Sequence, residues 1–326
     1  MKPYAMNYSH TPHTPLDFGN GLGEDAYPPA VEILGLCISG ISIALLIKKV
    51  MSRRGIGMKS RHALALVFLA GATTMAQAGV VYNQGFEADT AGWFDGGNGW
   101  YGGVTRVASG TGGITSASGS SHAVYTQGGD PGDETGGFTR FDGYRSSWTG
   151  PYQASVDIYL DTSWAAGEGF DYSVASSNSS GNHLRDFIFH VTKDTSTGQL
   201  LVGGSNNTNF DPREDLDTIN HATVTNSGWY TFEHSFYDAG DGTLAVALNL
   251  YDSNHMLLWT EVRNDGANLL ATVVGGNRYG WFTNIDIGDG INVDNVTLNV
   301  VPLPPAAFAG LGLLAGCAGV RQYRRR

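Results

Sequence analysis

Between Gly79 and Val300, apolar residues recur at every second position, in short runs broken by turn residues. "QASVDIYLD" sets Val156, Ile158 and Leu160 on one side of an extended chain. "WYTFEHSFYD" aligns Tyr230, Phe232, His234 and Phe236, and "TLAVALNLYD" aligns Leu244, Val246, Leu248 and Leu250. Successive side chains of a strand point to opposite faces, so each run predicts a strand with one buried face. "HAVYTQ", "FDYSVAS", "DFIFHVT", "QLLVGG", "MLLWTEV", "YGWFTNI" and "INVDNVTLNV" predict further strands. Turn clusters separate them at Asp130–Asp133, Asn178–Gly181, Asp194–Gly198 and Asp238–Gly242. Gly102–Gly119 is a Gly/Ser-rich loop stretch around one short strand. No run has helical periodicity, and there is neither an internal repeat nor a linker long enough to divide the segment. The expectation for residues 79–300 is all-β: a single antiparallel β-sandwich of jelly-roll type.

Charge narrows the partners. The chain of 326 residues carries a formal −11, but residues 79–300 hold 8 Lys+Arg against 26 Asp+Glu, while the flanks hold 11 against 4. An acidic body repels nucleic acid, so none is expected as a partner. The two cysteines, Cys37 and Cys317, both lie in the flanks. A disulfide framework, a zinc knuckle and a cysteine nucleophile are thereby excluded from the body.

The N-terminal flank has two apolar runs. Residues 58–78 contain the basic start Lys59 and Arg61, a short apolar body, and Ala76-Gln77-Ala78 at the end. That is the pattern of a secretory signal peptide cut after Ala78, which implies the Sec machinery and signal peptidase as partners. The earlier run, 33–47, is followed by Lys48, Lys49, Arg53 and Arg54, the opposite polarity. Residues 1–57 are therefore either an extension with a transmembrane segment or sequence upstream of a true start at Met58. The completeness of the signal favours the second.

The C-terminal flank, 301–326, opens with Val301, Pro302, Leu303, Pro304, Pro305 and Ala306. Prolines cannot continue a strand, so the sandwich ends before them. Residues 306–320 are uncharged and suit a membrane helix; counted from Leu303, the run would extend about 27 Å. Arg321, Arg324, Arg325 and Arg326 follow as a basic stop. This three-part pattern resembles the PEP-CTERM sorting signal in its VPLPA-type variant, with Pro305 as an extra residue. The resemblance implies processing by an exosortase-like transpeptidase. It also implies inner-membrane anchoring before processing and delivery to the cell envelope or extracellular matrix.

"NQGFEADTAGW" (83–93) and "NVDNVTL" (292–298) resemble the first and last strands of jelly-roll carbohydrate-binding modules. The resemblance implies a structural calcium held by Glu87 and Asp294. Sugar binding uses aromatic faces. Trp93, Trp100, Tyr101, Tyr144 and Trp148 lie in Gly-rich loops, either as rim packing or as a glycan platform. Trp229, Trp259 and Trp281 fall in strand patterns and are expected in the core.

No catalytic pattern stands out. A laminarinase-like E-x-D-x-x-E begins at Glu87 and Asp89 but has Gly92 at its last position. There is no G-x-S-x-G elbow. His122, His183, His190, His221, His234 and His255 lack metal spacing. Asp211, Glu214, Asp215 and Asp217 are most simply a solvated acidic loop, with a second calcium as the other reading. The expected function is therefore non-enzymatic: an exported protein that binds exopolysaccharide or another surface glycan. A structural matrix component without a small ligand, and a polysaccharide hydrolase with an unrecognised site, are the alternatives.

Overall fold

The computed structural model describes residues 79–94, 102–128, 135–148, 150–206, 216–266 and 274–300. The signal peptide, the 33–47 run, the sorting signal 301–326, Trp100, Tyr101, the 130–133 turn, and Asp211, Glu214 and Asp215 all lie outside the described residues. Among the described residues no helix is long and apolar enough to cross a membrane.

Among the described residues seventeen strands follow in chain order: β1 (Gly79–Gln84), β2 (Trp93–Phe94), β3 (Gly102–Ala108), β4 (Ser121–Gln127), β5 (Thr135–Thr139), β6 (Ser147–Trp148), β7 (Tyr152–Leu160), β8 (Gly169–Ser177), β9 (His183–Lys193), β10 (Leu200–Asn206), β11 (His221–Val224), β12 (Gly228–Asp238), β13 (Leu244–Tyr251), β14 (Leu257–Arg263), β15 (Val274–Gly275), β16 (Asn277–Thr283) and β17 (Ile291–Val300). One sheet runs β14-β13-β12-β7-β17-β4-β3, with β1 also on β17. The second runs β11-β10-β9-β8-β16-β5-β2, and β15 and β6 form a small ribbon. Every pairing is antiparallel. This is the expected all-β arrangement, two antiparallel sheets packed as a sandwich. The first and last strands pair, Gly79 opposite Val300.

The period-two pattern fixes the inner faces. Val156, Ile158, Leu160, Phe232, Phe236, Leu244, Val246, Leu248 and Leu250 are all wholly buried. Across the core they meet the second sheet through aromatic contacts. Phe232 stands edge-on to Phe189 at 5.0 Å, and Phe187 edge-on to Phe236 at 5.7 Å. Such pairs add to the stabilisation from apolar burial.

Some strands escape the pattern. β2, β6 and β15 are two residues long, too short to show a period. β5 reads Thr-Gly-Gly-Phe-Thr, and its glycines are required by close packing: a Cβ at Gly136 would stand 2.6 Å from Ile285 Cδ1. The two tryptophans Trp229 and Trp281 correct the expectation of core positions. Both are half-buried and face away from the core. Trp229 is opposite Tyr159 on the outer side of its sheet, and its Nε1 donates to Thr115 O at 2.7 Å. Trp259 is buried at 7% exposure, as expected.

Candidate functional site

The outer face of the β11-to-β2 sheet collects chemistry in rows. Residues directly opposite one another share a face. One row runs Phe94–Phe138–Trp281–Ser173–Ile188–Ser205 across β2, β5, β16, β8, β9 and β10. The row two residues along runs Thr283–Asp171–His190–Gly203–His221. Between them lies the core-facing row Phe282–Tyr172–Phe189–Gly204. The outer face is thus aromatic toward β2 and polar toward β10.

Its aromatic end meets a cluster of arginines. The Tyr144 ring, 41% exposed, has the Arg278 guanidinium 4.1 Å from its centroid and that of Arg140 at 5.1 Å. Arg140 also lies 5.2 Å from the Phe94 ring, and Arg145 lies 4.8 Å over Trp148. Asp142 pairs with Arg145. The Nε atoms of Arg140, Arg145 and Arg278 are buried without a hydrogen-bond partner among the described residues. Three of the body's eight cationic side chains therefore lie against three aromatic rings in an otherwise acidic domain. Tyr279 stacks on His183 nearby, at 5.9 Å and 3°. Burial and the adjacent Asp186 carboxylate push the Tyr279 phenol far above its usual range, so it stays protonated as a donor.

Gly276 sets this corner. Its Cβ would lie 1.8 Å from Arg145 O, so only glycine lets the chain approach the Arg145–Ser146 backbone. Arg145 N donates to Asn277 O at 3.1 Å and Ser177 Oγ to Arg145 O at 3.0 Å. The turn carrying Tyr144 is thereby tied to β8 and β16.

Of the five expected glycan-platform residues, Tyr144 and Trp148 belong to this corner. Trp93 does not. It is 7% exposed and packs in the core against Tyr125 at 4.8 Å and Phe282 at 6.1 Å, so its ring offers no face to a ligand. Phe94, its neighbour, takes the outward position. Sequence reasoning missed Arg140, Arg278 and Tyr279. The signal for Tyr279 and Trp281 was the phase of "YGWFTNI", in which Phe282 is the inward residue.

The polar end carries a chain of hydrogen bonds. His190 Nδ1 is 2.7 Å from Asp171 Oδ1, and His190 Nε2 is 2.7 Å from Ser205 Oγ. Asn284 Nδ2 donates to Asp171 Oδ2 at 2.5 Å. His122 is also buried, bonded to Ser116 and Asn292, and burial holds its pKa below the ordinary value.

Glu87 and Asp294 reach the same loop from two sides. Glu87 accepts from Ser120 N, Ser120 Oγ and Ser121 N, and these bonds, the Ser120 hydroxyl foremost, hold its pKa low. Asp294 is wholly buried and accepts from Ser118 N and Asn295 N. Desolvation, with the charges of Asp157 and Glu87, raises its pKa to about 6. Among the described residues no three His, Cys, Asp or Glu side chains converge on a metal position. The cation at this corner is Arg106, which donates to Phe86 O at 2.7 Å, Glu87 O at 2.6 Å and Ser121 Oγ at 2.7 Å.

No protein-family model matches the chain, and no curated protein matches it. Solved structures overlap it loosely. A CBM2 module of the evolved Dit from Lactobacillus casei BL23 phage J-1 is 14% identical, covering 70% of this chain and 98% of its own, with a TM-score of 0.42. The marine PL-14 alginate lyase from Aplysia kurodai is 13% identical over 68% of this chain and 100% of its own, TM-score 0.40. Lectin I from Ulex europaeus, bound to the methyl glycoside of α-L-fucose, is 15% identical over 62% and 92%, TM-score 0.33. Overlaps this loose leave function to be argued from the site.

Proposed function

We propose that the sandwich binds a surface polysaccharide bearing anionic groups, at the corner formed by Tyr144, Trp148, Arg140, Arg145 and Arg278. The observation that carries this reading is the exposed Tyr144 ring with guanidiniums at 4.1 and 5.1 Å. An aromatic face stacks on sugar C–H surfaces, and flanking guanidiniums form charge-assisted bonds to carboxylates. Affinity electrophoresis against a polyuronate and a neutral glucan tests it. Retardation should be confined to the polyuronate, weaken with salt, and fall at least tenfold in Tyr144→Ala and Arg278→Ala. Equal retardation by the neutral glucan, or unchanged binding in both variants, refutes it.

The setting of this domain is part of the proposal. A signal peptide at 58–78 exports the chain. The motif Val301–Ala306, the apolar segment 306–320 and Arg321, Arg324, Arg325 and Arg326 hold it for an exosortase-like transpeptidase. The domain is then delivered to the envelope or matrix. Normal sorting after Arg324, Arg325 and Arg326 are replaced by Glu overturns that part. Calcium is not included, because protein donors and Arg106 already engage the oxygens around Glu87.

One observation favours the purely structural reading. β14 is an edge strand on which Leu257, Leu258 and Val262 are 48–52% exposed, beside Met256 at 65%. An apolar edge strand is a template for self-association. Concentration-dependent assembly abolished by Leu258→Lys, without polyuronate binding, would support that reading instead.

A further inference from the structure

We propose that Ser205, His190 and Asp171 form a nucleophilic relay that hydrolyses acyl esters, the smallest being an O-acetyl group on the polysaccharide this face binds. The substrate class rests on the binding reading above; the relay itself does not.

The geometry comes from three adjacent strands. Asp171 on β8 is directly opposite His190 on β9, and Ser205 on β10 is one same-face row away. Both histidine nitrogens are engaged at 2.7 Å, Nδ1 by the carboxylate and Nε2 by the hydroxyl. A carboxylate only accepts, so Nδ1 carries the ring proton and Nε2 presents its lone pair. The Ser205 hydroxyl must then donate to Nε2, which is how a general base readies an alcohol for attack. The second Asp171 oxygen is held by Asn284, whose backbone sits at φ 51°, a left-handed conformation that asparagine tolerates. Ser205, His190 and Asp171 are 4–7% exposed, so little water competes for these bonds.

The reaction balances without a cofactor. Ser205 Oγ attacks the ester carbonyl as its proton passes to His190 Nε2. The tetrahedral intermediate collapses, the C–O bond to the sugar breaks, and the leaving alkoxide takes the proton from Nε2. Water then attacks the acyl-serine, giving one proton to Nε2. The acyl group leaves as a carboxylic acid, and that proton returns to Ser205 Oγ. The net change is ester plus water to alcohol plus acid. The Asp171 carboxylate stabilises the imidazolium at each step.

A hydrogen-bonded Ser–His–Asp chain can also be purely structural, so the test must read chemistry. The purified full chain is treated with a fluorophosphonate probe, and its hydrolysis of p-nitrophenyl acetate is followed between pH 5 and 9. Acetate release from an O-acetylated polyuronate is measured alongside. Mass mapping should find the phosphonyl group on Ser205. Ester turnover should rise with deprotonation of a single base. Ser205→Ala should lose labelling and at least 1,000-fold in turnover, with its melting curve as the folding control. If Ser205→Ala melts early, the near-isosteric Ser205→Cys serves, and it too should lose fluorophosphonate labelling. No labelling of Ser205, or turnover that survives both substitutions, overturns the relay. p-Nitrophenyl acetate carries no sugar. Its Ser205-dependent hydrolysis would therefore uphold the relay even if polyuronate binding failed, and that failure would count against the binding reading alone.

Discussion

His234 offers a quantitative test of the sandwich core. It occupies the inward phase of β12, wholly buried, with the rings of Tyr172, Phe189 and Phe236 around it. Nε2–H donates to Phe187 O at 2.9 Å, while Nδ1 is buried without a partner among the described residues. Desolvation outweighs the Phe187 bond and drives its pKa down to about 3. The unfolded chain has an ordinary histidine near 6.5. His234 therefore favours the fold fully above pH 6.5, and that contribution is lost as pH falls through the window from about 6.5 to about 3. The limiting slope is about 1.4 kcal/mol per pH unit, which amounts to about 2 kcal/mol at pH 5. His122, lowered by burial, acts in the same direction. Asp294 opposes them. Its folded pKa is raised to about 6, so protonation below that value stabilises the fold. The raw pH profile mixes all three. His234→Gln isolates one, since glutamine keeps an N–H donor for Phe187 O and cannot titrate. Urea unfolding followed by tryptophan fluorescence should show the variant less stable at pH 7.5. The gap should narrow by about 2 kcal/mol at pH 5. A gap constant between these pH values would mean that the ring is solvated or partnered, and the argument would fail.

Trp93→Ala should cost about 3–5 kcal/mol in urea unfolding, as for other large aromatic truncations in cores, while polyuronate affinity of the folded variant stays at the native value. Arg106→Leu removes three bonds to the Phe86–Glu87 turn and Ser121, where Phe86 is held at φ 55°. It should cost about 4.5 kcal/mol, the lower end for three hydrogen bonds to a charged group at roughly 1.5–3 kcal/mol each. Millimolar calcium should leave the melting temperature of the native chain unchanged, and a calcium-dependent rise of several degrees that Glu87→Gln abolishes would restore the metal to this corner.

The sandwich was legible because its signal is local. A strand of eight to eleven residues, such as β7, β12 or β13, repeats its period often enough to name its buried face. β12 shows how much more the same signal held: if Tyr230, Phe232, His234 and Phe236 point inward, Trp229 cannot. Hydrophobic type pulled Trp229 and Trp281 toward the core, whereas phase put them outside. Trp93 is the reverse case. Its two-residue strand has no phase, and its Gly-rich surroundings suggested a loop, yet it fills the space beside Tyr125 and Phe282.

The candidate sites were illegible for a different reason. Asp171, His190 and Ser205 lie 19 and 15 residues apart, and no motif spacing joins them. What joins them is register, Asp171 opposite His190 and Ser205 opposite Ile188. Register depends on turn lengths and long-range pairing, which a single strand's alternation does not encode. Tyr144 came to notice as a loop aromatic, but Arg278 reaches it from β16, more than a hundred residues later. In a fold built from non-local pairs, chemistry assembled across strands becomes visible only when the strand order is known. A cluster like Ser205–His190–Asp171 is therefore better sought along sheet rows than along the chain.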